Sequence, residues 1–249
     1  MSFEIPNQVT FEQKKQFELS EGDREFLEEG WDKECKEAKE RNNWSRAIFL
    51  AARMSEFGMK PEVEDEAWQR GLKALEFKKS KADGWGMAYQ ARYLKEIDET
   101  KALNEIQFSE EEKQIMFKEL QRRQDDASNN NSRWGDFIAM LEHVKKITPE
   151  IAQNIHLNEE TEKGVEEHLK QRYKDKDWRY FVHLSNAFEN ASPGALERYG
   201  FSQEELNGAI GNLSESMKED KSKGDAWAFA FAASQIYGLQ KSLKDERQS

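Results

Sequence analysis

Trp178-Arg179-Tyr180-Phe181-Val182-His183-Leu184-Ser185-Asn186-Ala187-Phe188 opens on a tryptophan and places apolar side chains three, four and ten residues later. Those offsets fall on one face of an α-helix of three to four turns. The figure recurs after Trp44 (Ala47, Ile48, Met54), Trp134 (Phe137, Ile138, Val144) and Trp227 (Ala230, Phe231, Tyr237). After Trp85 come Ala88 and Tyr89, but the tenth position is Lys95, so that stripe drifts toward Leu94 and Ile97. Five tryptophans at spacings of 41, 49, 44 and 49 residues make an internal repeat, which sets the architecture before any single element does.

A second helix start lies 24 residues after three of the tryptophans, at Ser109, Asn158 and Ser202, each preceded by Phe or Leu and followed by acids. Such a residue caps the first free amides, the acids favour the positive end of the dipole, and the apolar residue staples the entry. Leu19-Ser20-Glu21 is the same device, with Leu27 and Trp31 at the matching offsets, so the amino-terminal helix reads as the tail of an incomplete repeat. Between the long helices, Thr148-Pro149 and Ser192-Pro193 predict short ones. The first copy lacks the short helix, and its second start falls around Met59-Lys60-Pro61-Glu62.

The expected fold is all-α: a right-handed α-α superhelix, or solenoid, of about five two- to three-helix repeats starting near 44, 85, 134, 178 and 227. Residues 1–18 form an amino-terminal extension, 19–240 a single helical-repeat domain with a possible hinge at 125–133, and 241–249 a tail. Stacked units with a period in the forties resemble armadillo and HEAT-type solenoids in layout. That resemblance implies an extended binding surface and carries no functional residue with it.

Charged residues make up 35% of the chain, but seven Trp and fifteen Phe are enough to build a core beneath a charged surface. A net charge of -11 works against direct binding to nucleic-acid phosphates. From Glu18 to Glu40 there are ten acidic and four basic residues, so the first helix is acidic. A single cysteine, Cys35, in line with Leu27 and Trp31, is expected to be a buried thiol in a reducing, cytoplasmic compartment. The start lacks the basic end and apolar run of a signal peptide, and the most apolar window, Ala226 to Ala233, is too short to span a membrane.

No motif points to catalysis. The histidines, His143, His156, His168 and His183, have neither the Glu-x-x-His nor the HExxH spacing, and there is no phosphate-binding glycine loop and no GxSxG elbow. Asp175 and Asp177 suggest a calcium loop, but Tyr180 and Asn186 occupy its glycine and glutamate positions. No catalytic residue, metal or cofactor is therefore expected. Tryptophans at one offset in every copy are what unit-to-unit packing requires, against the alternative of a stacking ladder for bases or peptides.

Two surfaces are candidates for a protein or peptide partner. Met87, Tyr180 and Phe229 follow their tryptophans by two residues, away from the stripe, and with Arg179 line a possible groove; the competing reading packs them against neighbouring units. Glu25, Glu28 and Asp32 on the first helix suit a basic partner. The leading function is a non-catalytic protein- or peptide-binding module. Its alternatives are an acidic decoy that blocks a basic nucleic-acid-binding surface, and a helical enzyme whose site is assembled from unremarkable Glu, Arg and Tyr residues.

Overall fold

The computed structural model describes residues 17–63, 65–130, 133–153, 155 and 157–245, with side chains to 243. His156, the first 16 residues of the extension, residues 131–132 of the expected hinge and 246–249 of the tail lie outside them. Among the described residues there are thirteen α-helices and no strand, with 82% of residues helical.

Ten helices form five pairs: α1 (Glu21–Arg41) with α2 (Ser45–Glu56), α3 (Asp65–Ser80) with α4 (Gly84–Ile97), α6 (Glu110–Asn129) with α7 (Trp134–Ile147), α9 (Glu159–Lys174) with α10 (Trp178–Ala191), and α12 (Gln203–Ser222) with α13 (Ala226–Asp245). Three short helices, α5 (Glu99–Glu105), α8 (Pro149–Ala152) and α11 (Ala195–Arg198), link successive pairs. The caps fall where expected: Ser20, Ser109 and Ser202 form capping boxes with Asp23, Glu112 and Glu205, and Asn158 caps α9. Two expected starts and part of the expected hinge shift. The second helix of the first copy begins at Asp65 rather than around Pro61. Ser192-Pro193 enters a turn whose Gly194 has φ +77°, so α11 starts at Ala195. Residues 125–129 of the expected hinge belong to α6, with Ala127 buried.

The pairs follow one packing rule. Each outer helix lies on its own inner helix and on the preceding one: α3 on α4 and α2, α6 on α7 and α4, α9 on α10 and α7, α12 on α13 and α10. By the same rule α1 lies on α2 and on α13, the last inner helix, and α13 also packs beside α2. The inner helices α2, α4, α7, α10 and α13 thus form a closed ring. Their contacts join matching depths, as in Phe49 with Tyr93, Arg92 with Glu142 and His183 with Gln235, so they run parallel.

The superhelical solenoid expected from the repeat is not confirmed: the contacts bring α13 against both α1 and α2. The period of a repeat fixes what each unit buries, whereas the turn between units decides whether the ends meet. The seam is a full interface: Phe49 stacks on Trp227 at 4.7 Å, Phe26 meets Phe229 edge-on at 5.3 Å, and Lys221 Nζ lies 2.6 Å from Asp23. At Gly30 any Cβ would overlap the Cβ of Ala226, so glycine is what lets α1 approach α13. The acidic helix α1 therefore bridges first and last repeats, with Leu27, Trp31 and Ala38 buried beneath it.

The core lies between the two shells. Phe137, Phe181, Leu120, Leu169 and Leu213 are buried completely, each worth about 1.5–3 kcal/mol relative to exposure. The tryptophans divide into two kinds. Trp44 and Trp134 are buried as packing requires, Trp134 against Gly164 of α9, whereas Trp85, Trp178 and Trp227 are half-buried.

Candidate ligand site on the axis of the ring

The inner helices turn a second, polar face toward the ring axis. Part of this face is aromatic, from Trp85 and Trp227 in the first turns of their helices to Tyr93 and His143 well along theirs. Trp85, Tyr89, Tyr93, Phe49, Trp227, Phe231 and His183 follow one another with neighbouring ring centroids 4.5–6.4 Å apart. His143 closes on Trp85, Tyr89 and Tyr93 at 5.3, 5.5 and 6.2 Å. Eight rings from all five inner helices therefore make a horseshoe, and its two ends are the histidines of α7 and α10. Trp85, Tyr89, Trp227, Phe231 and His183 are half-buried, while Phe49, Tyr93 and His143 are buried behind them.

Interleaved with the rings and extending past them, the face is ionised. Arg92 Nη1 lies 3.0 Å from Glu142 and 2.8 Å from Nδ1 of His143, and its Nε donates to Glu96 at 2.7 Å. Lys146 reaches Glu96 at 3.1 Å and Glu142 at 3.6 Å. Arg53, lying against the rings of both Phe49 and Tyr93, pairs with Glu56 at 2.5 Å and reaches toward Ser234 at 3.5 Å across the seam. His183 bonds Gln235 at 3.0 Å, which brings α10 and α13 into the same collar. The arginines and lysine sit toward the carboxyl ends of their helices, where the dipoles favour cations.

This collar sets its own protonation. Burial would raise the carboxyl of Glu142, but Arg92 and Lys146 outweigh it and hold the group well below the usual carboxylate range. Against the same burial, Arg92, Arg53 and Lys146 bring Glu96 down to about 2. Burial pushes Glu56 up despite Arg53. Burial also pushes His143 well below 6.5, Arg92 adding to it, and lowers His183. Both imidazoles are thus neutral near pH 7.

One part of the collar is incomplete. Arg53 is 2% exposed, yet its Nε makes no hydrogen bond, and neither does Oε2 of Glu96, which stands 3.7 Å from Arg53 Nη2. Buried polar atoms are seldom left so, because each costs about 1–3 kcal/mol of desolvation. Among the described residues no group of three or more His, Cys, Asp or Glu is arranged to hold a metal ion.

The residues expected to bind a partner do not come together. Met87 and Phe229 are buried in the shell, which corrects their assignment to an exposed groove: residues two after the tryptophan pack against neighbouring helices. Tyr180 is half-buried beneath Arg172, 4.4 Å from its ring, and against Gly135 and His168; Arg179 bonds Ser216 and Asp220 of α12. Glu25, Glu28 and Asp32 are exposed on α1 as expected. Cys35 is half-buried rather than buried, and lines a groove of about 730 Å³ with Trp31, Asp32, Lys36 and Val63. The axial residues Arg53, Arg92, Glu96, Glu142, His143 and His183 were not singled out as a site by sequence. Their one legible signal is ionisable residues interrupting apolar helices, as in Ala52-Arg53 and Ala91-Arg92. No helix among the described residues is long and apolar enough to cross a membrane. Compared with known protein families, curated proteins and solved structures, the chain matches none.

Proposed function

We propose that this protein binds a small polar ligand on the axis of its helical ring, between the aromatic horseshoe and the ionised collar. The observation that carries this reading is a pair of buried atoms without a hydrogen bond, Nε of Arg53 and Oε2 of Glu96, within a collar whose charges are otherwise paired. Half-buried aromatics leading to a few convergent polar groups are the usual composition of a ligand site. We read the site as one of binding, with Glu96 and Glu142 held ionised in ion pairs with Arg92 and Lys146. A thermal-shift screen of small molecules tests it. A true ligand raises the melting temperature of the native protein and not of Arg53→Met or, should that variant fold poorly, of Trp227→Phe. A broad screen without a single shift contradicts the reading.

A protein partner is the second reading, and the groove beside α1 favours it. Trp31 and Val63 supply an apolar floor, and exposed Asp32, with Glu25 and Glu28 on the same helix, supplies a negative rim for a basic segment. The ring changes where such a partner would sit: along α1, outside the ring, in place of the concave surface of a solenoid.

A further inference from the structure

We infer that the groove between α1 and the loop before α3 takes an aromatic side chain carried on a basic segment of a partner protein. This rests on the second reading above and names the chemistry that the partner must present.

The groove lies where the repeat is short of material. Residues 98–109, 148–158 and 192–202 join the later pairs and each stretch includes a short helix, whereas only 57–64 join α2 to α3. A side chain is reduced there too. Leu19, Phe108, Leu157 and Phe201 stand two residues before their outer helices, and before α3 the same place is held by Val63. In later copies this stretch lies along the preceding outer helix. Lys79 of α3 bonds the carbonyl of Gln107 at 2.9 Å and lies 5.2 Å from the ring of Phe108, and Gln124 of α6 bonds Thr161 of α9 at 3.1 Å. In the first copy the loop instead borders a groove of about 730 Å³ over Trp31 and Cys35, and Val63 also lines a cavity of about 510 Å³ at the foot of α2 and α4. The missing helix and the smaller side chain thus coincide with open space.

What fills this room in the later copies indicates what fits it in the first. Phe108, Leu157 and Phe201 all pack against the core, so the anchor is an apolar side chain larger than valine. The lysines select an aromatic one. Lys79, which caps the ring of Phe108, is the fifteenth residue of α3 as Cys35 is of α1, and Lys36 and Lys39 line the groove beside Cys35, placed to cap an incoming ring in the same way. Charge sets the flanks. Asp32, Glu62 and Asp65 are exposed along the groove, and from Glu18 to Glu40 the chain carries ten acidic residues against four basic ones. An acidic segment would be repelled by that field, whereas Lys or Arg on either side of the anchor would be drawn to it.

Selection of displayed random peptides on the immobilised full chain tests this, with the winners resynthesised and titrated by fluorescence polarisation. They should carry Phe, Tyr or Trp flanked by Lys or Arg, and should shield Cys35 from alkylation by N-ethylmaleimide. Val63→Phe, which restores the bulk present in the later copies, should weaken them at least about 10-fold while circular dichroism stays unchanged. If that variant folds poorly, Asp32→Lys together with Glu62→Lys serves instead. Winners that lack an aromatic or a basic residue, leave Cys35 reactive, or are indifferent to both variants overturn the inference and leave a partner to some other face. A native chain that sediments as a dimer and becomes monomeric on Val63→Phe gives the groove to a second copy, which overturns it as well. Absence of any binder overturns the inference and counts against the partner reading itself.

Discussion

The two faces of the inner helices are built from different materials. Outward, α7 and α10 offer Phe137, Ile138, Phe181 and Val182, which are buried against outer helices and linking segments. Inward, the same helices offer Glu142, His143, Lys146, His183 and Asn186, which meet charges and amides of other repeats. The outer interface tolerates any apolar side chain of suitable volume, since burial has no direction. The inner one depends on particular partners some fifty residues away, as in Arg92 with Glu142. A fold held mainly by its outer shell is free to keep a costly, specific interior, and such an interior is where a ligand site belongs.

The largest effect should come from breaking that interior at its busiest residue. Arg92→Met leaves two buried carboxylates, Glu96 and Glu142, without their main counter-charge, and should cost about 3–5 kcal/mol in urea unfolding. Adding Glu142→Met should restore much of the loss, because an apolar pair of similar volume replaces a buried ion pair at little net cost. If the single substitution is harmless, the collar is hydrated and the contrast between the faces fails.

On the outward face, Leu169→Ala should cost about 3 kcal/mol through lost burial and a partly collapsed cavity. No second substitution elsewhere should rescue it, since volume there has no single partner. Rescue by a distant change would show that the shell is as specific as the collar.

This face was the legible part. Periodicity after Trp134 and Trp178 identifies what packs outward, and Ser20, Ser109, Asn158 and Ser202 announce their helices through local bonds. Closure was not legible, because Gly30 and Ala226, or Phe49 and Trp227, carry no mark of each other's presence. The axial site was hidden for the same reason. His143 and His183 were weighed as metal ligands by local spacing, while their partners, Arg92 and Gln235, lie on other helices.

Acid should separate the faces more gently. His143 and His183 are held below 6.5 in the fold and return toward it when the chain unfolds, so below that pH the unfolded state binds more protons. Their contribution is present above pH 6.5 and lost as pH falls toward the folded values, by at most about 1.4 kcal/mol per pH unit for each histidine. Glu96 and Glu142 add a loss only below about pH 4.5. Melting temperatures from pH 7 to 5 should therefore decline in the native protein and less in His143→Phe; a flat profile would place the imidazoles in water.

The smallest effect belongs to the outermost surface. Reversing Glu25, Glu28 and Asp32 to Lys together should move stability by less than about 1 kcal/mol, since all three are exposed. Should binding to a basic partner exist, the same variant abolishes it at low salt; a bound partner indifferent to the reversal rules out this rim.

The closed ring underlies every step from fold to ligand, and a zero-length carbodiimide reads it directly. The reagent joins a lysine to a carboxylate already in contact, and Lys221 lies 2.6 Å from Asp23 although 198 residues separate them. Mass spectrometry of the monomeric fraction should recover an amide-linked peptide pair containing Asp23 and Lys221 alongside helical neighbours such as Glu215 with Lys218. Recovery of the neighbouring pairs without the Asp23–Lys221 link would mean that the first and last repeats stand apart, and the ring with its axial site would have to be abandoned.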